Sequence, residues 1–433
     1  MTSMKTRGLR QAMVAAGLAA VTALALTACA PPGAAEPEPT SSGAGETGGT
    51  LKVGYISPTT GNFAVAGQEM VDGWNLYWDI NGAEVNGITI ETIVEDDAGN
   101  PETSLTKAHK LVEQDQVDFI VGPLIANTAL AVAEYTASVG IPNLHPVAAS
   151  DDLTQRNSND LTVRTGSMGG SQANYPGGEW AATDGGYKTA VTLCADYAFG
   201  WESCAGFVQG FTQNGGEVVE QIWFPNTTTD FSTYVSQIQA ANADLVYVAT
   251  AGGAPGPNFL NAYLGLGQDP DKLLMNCCAL DQGTLRTMGE QVVGIKSVSY
   301  WAEGRDSEAV AEFIDAYKEF ADGKVPGAYV AGGYLTASLV ASVLDEKGLV
   351  TGEDLVAAIT EYTFTDSIFG KVSWDEYNNM VGPVYVREVT AGDDGNFYNT
   401  PIATIEDVDQ WLGRTPEEAL ALPTYSQSFQ GLE

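Results

Sequence analysis

Short apolar runs alternate with stretches of helical periodicity along most of this chain. Leu51–Ile56 reads as a strand that stops at Ser57-Pro58-Thr59-Thr60-Gly61. Helical spacing follows from Ala64 to Asn81, with Met70, Val71, Trp74, Tyr77 and Trp78 on one face. Asn81-Gly82 closes that helix. Ile88–Glu95 is a second strand, and Asn100-Pro101-Glu102 opens a helix with a capping residue, a first-position proline and an early acid. Val117–Val121 and Ile141–His145 are further strands, with a helix over Leu124–Ser138 between them. This strand–helix alternation with short connections predicts a parallel, doubly wound sheet.

The rhythm restarts after the Gly- and Ser-rich stretch Gly166–Ser171. Strands are predicted at Thr189–Leu193, Glu217–Trp223, Asp244–Ala249, Leu273–Asn276 and Ile295–Tyr300, with helices near Trp201, after Asp230 and over Pro257–Leu266. Helices at Ser307–Phe320, Ala328–Glu346 and Gly352–Tyr362 then follow without strands, as if the chain returns to cover one lobe. Late strands at Val384–Val389 and Pro401–Ile405 precede a terminal helix from Thr415. Two runs of similar order predict two like lobes and a cleft that can close on a small molecule. At Gly122-Pro123 a strand gives way to a helix, which leaves backbone donors at the ligand-binding edge of such a sheet.

Composition sets the surroundings. The 433 residues include 55 acids and 19 bases, a net charge of −36. Such a surface repels nucleic acid and anionic membrane and favours solubility. Lys5, Arg7 and Arg10 precede an apolar, Ala-rich run from Ala12 to Leu26, too short for a comfortable membrane span and suited to export. Ala30–Thr50 has no large apolar side chain, which predicts a disordered tether.

Catalytic signatures are missing. No phosphate-binding glycine fingerprint sits at the Gly122-Pro123 corner, and the chain has no Gly-x-Ser-x-Gly elbow and no His-Glu-x-x-His. His109 and His145 stand apart without paired cysteines nearby, so no metal or cofactor is expected. Besides Cys29 there are Cys194, Cys204, Cys277 and Cys278, an even number suited to an oxidising compartment. Short loops close readily, which favours Cys194 with Cys204. Cys277–Cys278 is then a vicinal disulfide or two thiols; the alternative joins Cys194 and Cys204 to that pair.

Leu26-Thr27-Ala28-Cys29 resembles the lipobox of bacterial lipoproteins, which implies cleavage before Cys29 and diacylglycerol on its thiol. Ordinary signal cleavage nearby is the alternative. The remainder resembles the type I periplasmic solute-binding proteins, specifically the leucine/isoleucine/valine-binding family of ABC importers. The motifs are Pro58-Thr59-Thr60-Gly61 with Gly67, Glu95-Asp96-Asp97 with Asn100-Pro101, Val121-Gly122-Pro123, Gly140-Ile141-Pro142, Asp196-Tyr197-Ala198-Phe199-Gly200, Thr229-Asp230-Phe231-Ser232 and Phe369 through Asp375. The resemblance implies an α/β fold of two similar doubly wound lobes around a ligand cleft. Crossovers are expected near Val163–Ser167, Ser297–Glu303 and Trp374–Asn379. The chain then divides into a signal peptide (1–28), a lipidated cysteine with tether (29–50), lobe 1 (51–165 plus 300–376) and lobe 2 (166–299 plus 377–433).

The same resemblance implies five ligand loops, Leu124–Thr128, Val147–Ser150, Asp196–Phe199, Ala249–Gly253 and Asn276–Asp281. They bring Ala126, Asn127, Thr128, Val147, Ala148, Ala149, Ser150, Asp196, Tyr197, Phe199, Ala251, Cys278 and Asp281 to the cleft. Helix N-termini at the first two loops can hold a carboxylate, and an acid with aromatics opposite can hold an ammonium. Several positions depart from the family pattern. Ala126 and Ala149 fall where amino-acid binders place hydroxyls for the carboxylate, and Ala251 falls where they place an aromatic. The acid for the amino group falls near Cys277-Cys278, with Asp281 a few residues on. The expected ligand is therefore a small organic solute, an amino acid or related compound, and not necessarily leucine, isoleucine or valine. The expected protein is a monomeric, lipid-anchored receptor on the outer face of the membrane that hands solute to an ABC permease. A sensor ectodomain of the same fold, which would carry a membrane-spanning helix and an output module, is the first alternative. An extracellular hydrolase is the second.

Overall fold

The computed structural model describes residues 48–432. The expected signal peptide, Cys29 and most of the expected tether lie outside the described residues. Parallel pairing dominates two sheets. The first contains β1 (Gly49–Ser57), β2 (Glu84–Val85), β3 (Ile88–Asp96), β4 (Phe119–Val121), β5 (Asn143–His145) and β6 (Thr162–Arg164). Their order is β2-β3-β1-β4-β5-β6, and only the short β2 runs antiparallel.

The second sheet begins with β7 (Thr189–Ala195), β8 (Glu217–Phe224), β9 (Leu245–Ala249), β10 (Leu273–Asn276) and β11 (Lys296–Ser299). It is completed by β12 (Phe364–Ser367), β13 (Gly370–Trp374), β14 (Met380–Ala391) and β15 (Phe397–Val408). Strands β8-β7-β9-β10-β11 are parallel neighbours, and the later strands add antiparallel through β14. The orders β3-β1-β4-β5 and β8-β7-β9-β10 are the same arrangement used twice.

Twelve α-helices are described: α1 (Ala64–Asn81), α2 (Pro101–Lys110), α3 (Ala126–Ser138), α4 (Gly170–Ala182), α5 (Ala198–Gln213), α6 (Ser232–Ala241), α7 (Pro255–Gly265), α8 (Gln282–Met288), α9 (Glu308–Phe320), α10 (Ala328–Lys347), α11 (Gly352–Thr360) and α12 (Pro416–Ala421). Local signals placed several of their ends. Asn100 Oδ1 accepts the Thr103 N–H at 3.0 Å ahead of α2, and Thr415 caps α12.

Three differences from the sequence reading have physical causes. β1 begins inside the stretch expected as tether, because Gly49 and Thr50 pair in register with Ile88 and Thr89; a ladder needs backbone groups, not large side chains. Strands β12 and β13 hydrogen-bond outward from β14 on the second sheet, although they fall within 300–376, a stretch expected in lobe 1. Helices α10 and α11 do cover the first sheet, where Val340, Leu344, Leu355 and Ile359 join Leu51, Val53 and Trp74 in one core.

The third difference is α4, a helix where the Gly, Ser and Asn content and Pro176 argue against one. Tertiary packing overrides that propensity. A Cβ on Gly178 would lie 2.2 Å from the Phe207 carbonyl oxygen, and one on Gly206 would lie 2.2 Å from that of Ser171. Hydrogens at these positions let the α4 and α5 backbones touch. Helices α1 and α10 do the same, since a Cβ on Gly73 would lie 2.0 Å from the Val330 carbonyl oxygen.

Cys194, at the end of β7, is disulfide-bonded to Cys204 in α5, while Cys277 and Cys278 are free thiols. This is the local pairing that loop closure favours.

Gly206→Val should destabilise the fold by roughly 3 kcal/mol or more, because neither backbone can give way cheaply. Gly265→Ala, which meets nothing within 4 Å, should instead gain up to about 1 kcal/mol. Denaturant midpoints of the two variants check the contrast, and equal midpoints would refute the close-packing account.

Candidate functional site

Every parallel strand delivers its carboxyl end to the same edge of its sheet, so the loops that follow β1, β4, β5, β7, β9 and β10 gather there. After β4 the chain turns at Gly122, whose φ is +89° and where a Cβ would sit 2.2 Å from the Ile56 carbonyl oxygen. It then enters α3 through Ile125, which offers no side-chain cap. Helix α5 likewise starts at Tyr197 without a side-chain cap. The first-turn N–H groups of both helices are therefore left for something other than their own chain ends.

Both helix starts open on one small inner pocket of about 40 Å³. Of the residues expected at the site, Ala126, Val147, Ala149, Tyr197, Phe199, Ala251 and Cys278 line it together. The loop after β5 explains its own partition. Val147 and Ala149 face the pocket, while Ala148 packs behind with Ala129, Ala133 and Leu153. Ser150 also turns away and donates to Glu202 Oε1 at 3.2 Å. An extended backbone alternates faces in this way.

Other expected residues are occupied elsewhere. Thr128 is buried and donates to the Ile125 carbonyl at 2.7 Å, and Asn127 is exposed outside the pocket. Asp196 accepts the Trp201 indole N–H at 3.0 Å instead of reaching the pocket. Asp281 lines the adjoining outer groove, where Oδ1 accepts the Ala328 N–H at 3.0 Å and the buried Oδ2 has no hydrogen-bond partner among the described residues.

Leu124, Ile125 and Gly252, which fall within the expected loops, complete the inner pocket together with Phe63 and Tyr329, which the sequence reading missed. Phe63 could have been found from the rule that ligand loops follow strand ends. Tyr329 could not, because it comes from the start of α10, far from α3 in sequence. Burial raises the phenol pKa of Tyr197 and Tyr329, so both hydroxyls stay protonated.

The outer groove holds about 920 Å³ and shares Gly252, Cys278 and Tyr329 with the inner pocket. Its walls mix apolar surface with the charged side chains of Glu69, Asp72, Asp281, Arg286 and Lys324. Glu69 on α1 forms an ion pair with Arg286 on α8, joining the two sides of the groove. Burial still raises the Glu69 carboxyl to about 7 against the pull of Arg286. Behind the pocket, buried Arg164 donates to the Ala148 and Ser150 carbonyls and, at 3.1 Å, to Thr154 Oγ1. Burial raises Asp151 nearby to about 6, and Glu202 is raised by burial and then by the Asp151 charge. Among the described residues, no group of three or more His, Cys, Asp or Glu is placed to hold a metal ion.

A family model described as periplasmic binding protein matches residues 50–396. Leu/Ile/Val-binding protein homolog 6 of Brucella melitensis is 27% identical over 363 residues, covering 82% of this chain and 92% of that one. A solute-binding protein of an ABC transporter from Rhodopseudomonas palustris BisB5, solved with 3,4-dihydroxybenzoic acid, is 31% identical with a TM-score of 0.78. That match covers 83% of this chain and 98% of the other. A second from R. palustris, solved with 4-hydroxybenzoate, is 27% identical with a TM-score of 0.78, covering 84% and 99%. These relatives are binding proteins, not enzymes. Matched over most of its described length, and built as two like sheets whose loops meet at one pocket, the chain belongs to the periplasmic binding protein family as a solute-binding protein of an ABC transporter.

Proposed function

We propose that the solute is a small aromatic carboxylate of the hydroxybenzoate kind, captured between the lobes and passed to the transporter's permease. The observation that carries this reading is the makeup of the inner pocket. Phe63, Tyr197, Phe199 and Tyr329 line it with aromatic side chains, and two helices without side-chain caps begin at residues that line the same space. A planar ring suits such walls, and a carboxylate suits helix N-termini. An α-ammonium would find no carboxylate lining this pocket. The hydroxybenzoates held by the two R. palustris proteins are consistent with the same chemistry.

The space left in the pocket is too small for a ring, so ligand enters when the lobes part and is enclosed when they close. The three segments near 163–167, 297–303 and 374–379 serve as the hinge. Export, a diacylglycerol anchor on Cys29, a tether to about residue 48 and action as a monomer complete the reading. The lipobox-like Leu26-Thr27-Ala28-Cys29 supports export and the anchor, and the Pro-, Gly- and Ser-rich composition that follows supports the tether.

A second reading, an amino acid as solute, is favoured by one observation. The buried Asp281 Oδ2 without a partner is a candidate acceptor for an ammonium.

Thermal-shift and calorimetric titration separate the two. Benzoate, 4-hydroxybenzoate or 3,4-dihydroxybenzoate should stabilise the protein by about 2.7 kcal/mol at a hundredfold excess over Kd, and leucine, isoleucine and valine should not. Micromolar binding of those three amino acids, with no response to the aromatic acids, would replace the first reading by the second. Phe199→Ala should weaken binding of the aromatic acid about tenfold by calorimetry. Cys29→Ser should abolish fatty-acid labelling in cells and release the protein from the membrane fraction; continued labelling would refute the anchor.

A further inference from the structure

The cleft wall carries a pair of groups that solute capture leaves unused. Cys277 and Cys278 follow β10 directly, and their unbonded Sγ atoms stand 3.2 Å apart. Cys277 is buried in the core with Val298 and Met168. Cys278 is half-buried and lines both the inner pocket and the outer groove. A small reagent in the groove therefore meets one thiol and finds the second immediately behind it.

The turn that bears them is pinned at both ends. Asn276 Oδ1 accepts the Thr250 and Ala279 N–H groups at 3.3 and 3.1 Å, and its Nδ2 donates to the Thr250 carbonyl at 3.1 Å. Asp281 holds the other end through the Ala328 N–H on α10, beside Tyr329. Movement between the two pins falls on the Cys278 side chain and the peptide before it. Cys278 lines the inner pocket together with Ala126, Val147 and Ala251.

We propose that Cys277 and Cys278 form a reversible dithiol–disulfide site in the cleft wall, and that closing it weakens solute binding. The oxidant is a disulfide, either a low-molecular-weight one or that of a thiol oxidoreductase. The Cys278 thiolate attacks one sulfur of the oxidant, forms a mixed disulfide and expels the other sulfur as a thiolate. The Cys277 thiolate then attacks Cys278 Sγ, forms the Cys277–Cys278 bond and expels the second oxidant sulfur. The protein loses two electrons, the oxidant gains them, and the two cysteine protons end on the two thiols released. Bond formation draws the sulfurs from 3.2 Å to covalent distance and reshapes the wall. The neighbouring thiol and burial hold the Cys278 pKa up, so exchange should accelerate as pH rises and thiolate forms.

The consequence for binding rests on the function proposed above, whereas the thiol chemistry does not. The test equilibrates the protein with reduced and oxidised glutathione, alkylates it, and weighs the peptide that contains both cysteines. Expected at oxidising ratios is a peptide lighter by two hydrogens, without alkyl or glutathione groups, and restored by dithiothreitol. Cys277→Ser should instead stop at a glutathione adduct on Cys278. Affinity for whichever solute of the titration panel binds, 4-hydroxybenzoate first, should fall about tenfold on oxidation and recover on reduction. Two alkylated cysteines at oxidising ratios, or a stable glutathione adduct in the unaltered protein, would overturn the site. Equal affinity in the two redox states would overturn its effect on binding. If reduced protein binds no aromatic acid, the aromatic reading fails while the peptide masses still decide the dithiol site.

Discussion

Parallel strand pairing is the constraint from which the site follows. Strands β1, β3, β4 and β5 in one sheet, and β7 to β11 in the other, all point their carboxyl ends one way. Each crossover helix must then begin at that edge, with unpaired N–H groups facing whatever lies beyond it. Two sheets built this way bring the starts of α3 and α5 to the lining of one pocket.

Close helix contact holds this geometry. In both α1 against α10 and α4 against α5, glycines stand where any Cβ would strike a carbonyl oxygen of the partner helix. The cost is poor intrinsic helicity, which is why α4 looks like a linker when read locally. The gain is direct backbone contact in helices that support the ligand edge. Rigid bodies of this kind can swing as units, leaving motion to the connecting segments.

Charge is distributed by depth. The inner pocket holds aromatic and aliphatic walls, the outer groove carries the Glu69–Arg286 pair, and Arg164 is buried behind with Asp151 and Glu202 close by. Buried acids whose carboxyls are pushed upward hold their protons more readily than surface ones. Arg164 meets backbone carbonyls of the very loop that presents Val147 and Ala149. The shape of that pocket wall is thus tied to a buried cation that never touches the pocket.

The sequence by itself determined the two α/β runs, most strand and helix positions, and the loops that build the site. Those features are local: α1 follows from apolar spacing, α2 from Asn100 and Pro101, and the ligand edge from where strands end. The bond between Cys194 and Cys204 was also within reach, because ten intervening steps of chain close easily. Only the tertiary structure decided which side of each loop faces the pocket, turning Ala149 inward and Ser150 toward Glu202. It alone brought Tyr329 from α10 to Phe199 from α5, made a helix of α4, and attached β12 and β13 to the second sheet. The physical reason is the same in each case: these outcomes depend on contacts between segments distant in sequence, and local propensity carries no information about which distant backbone will arrive.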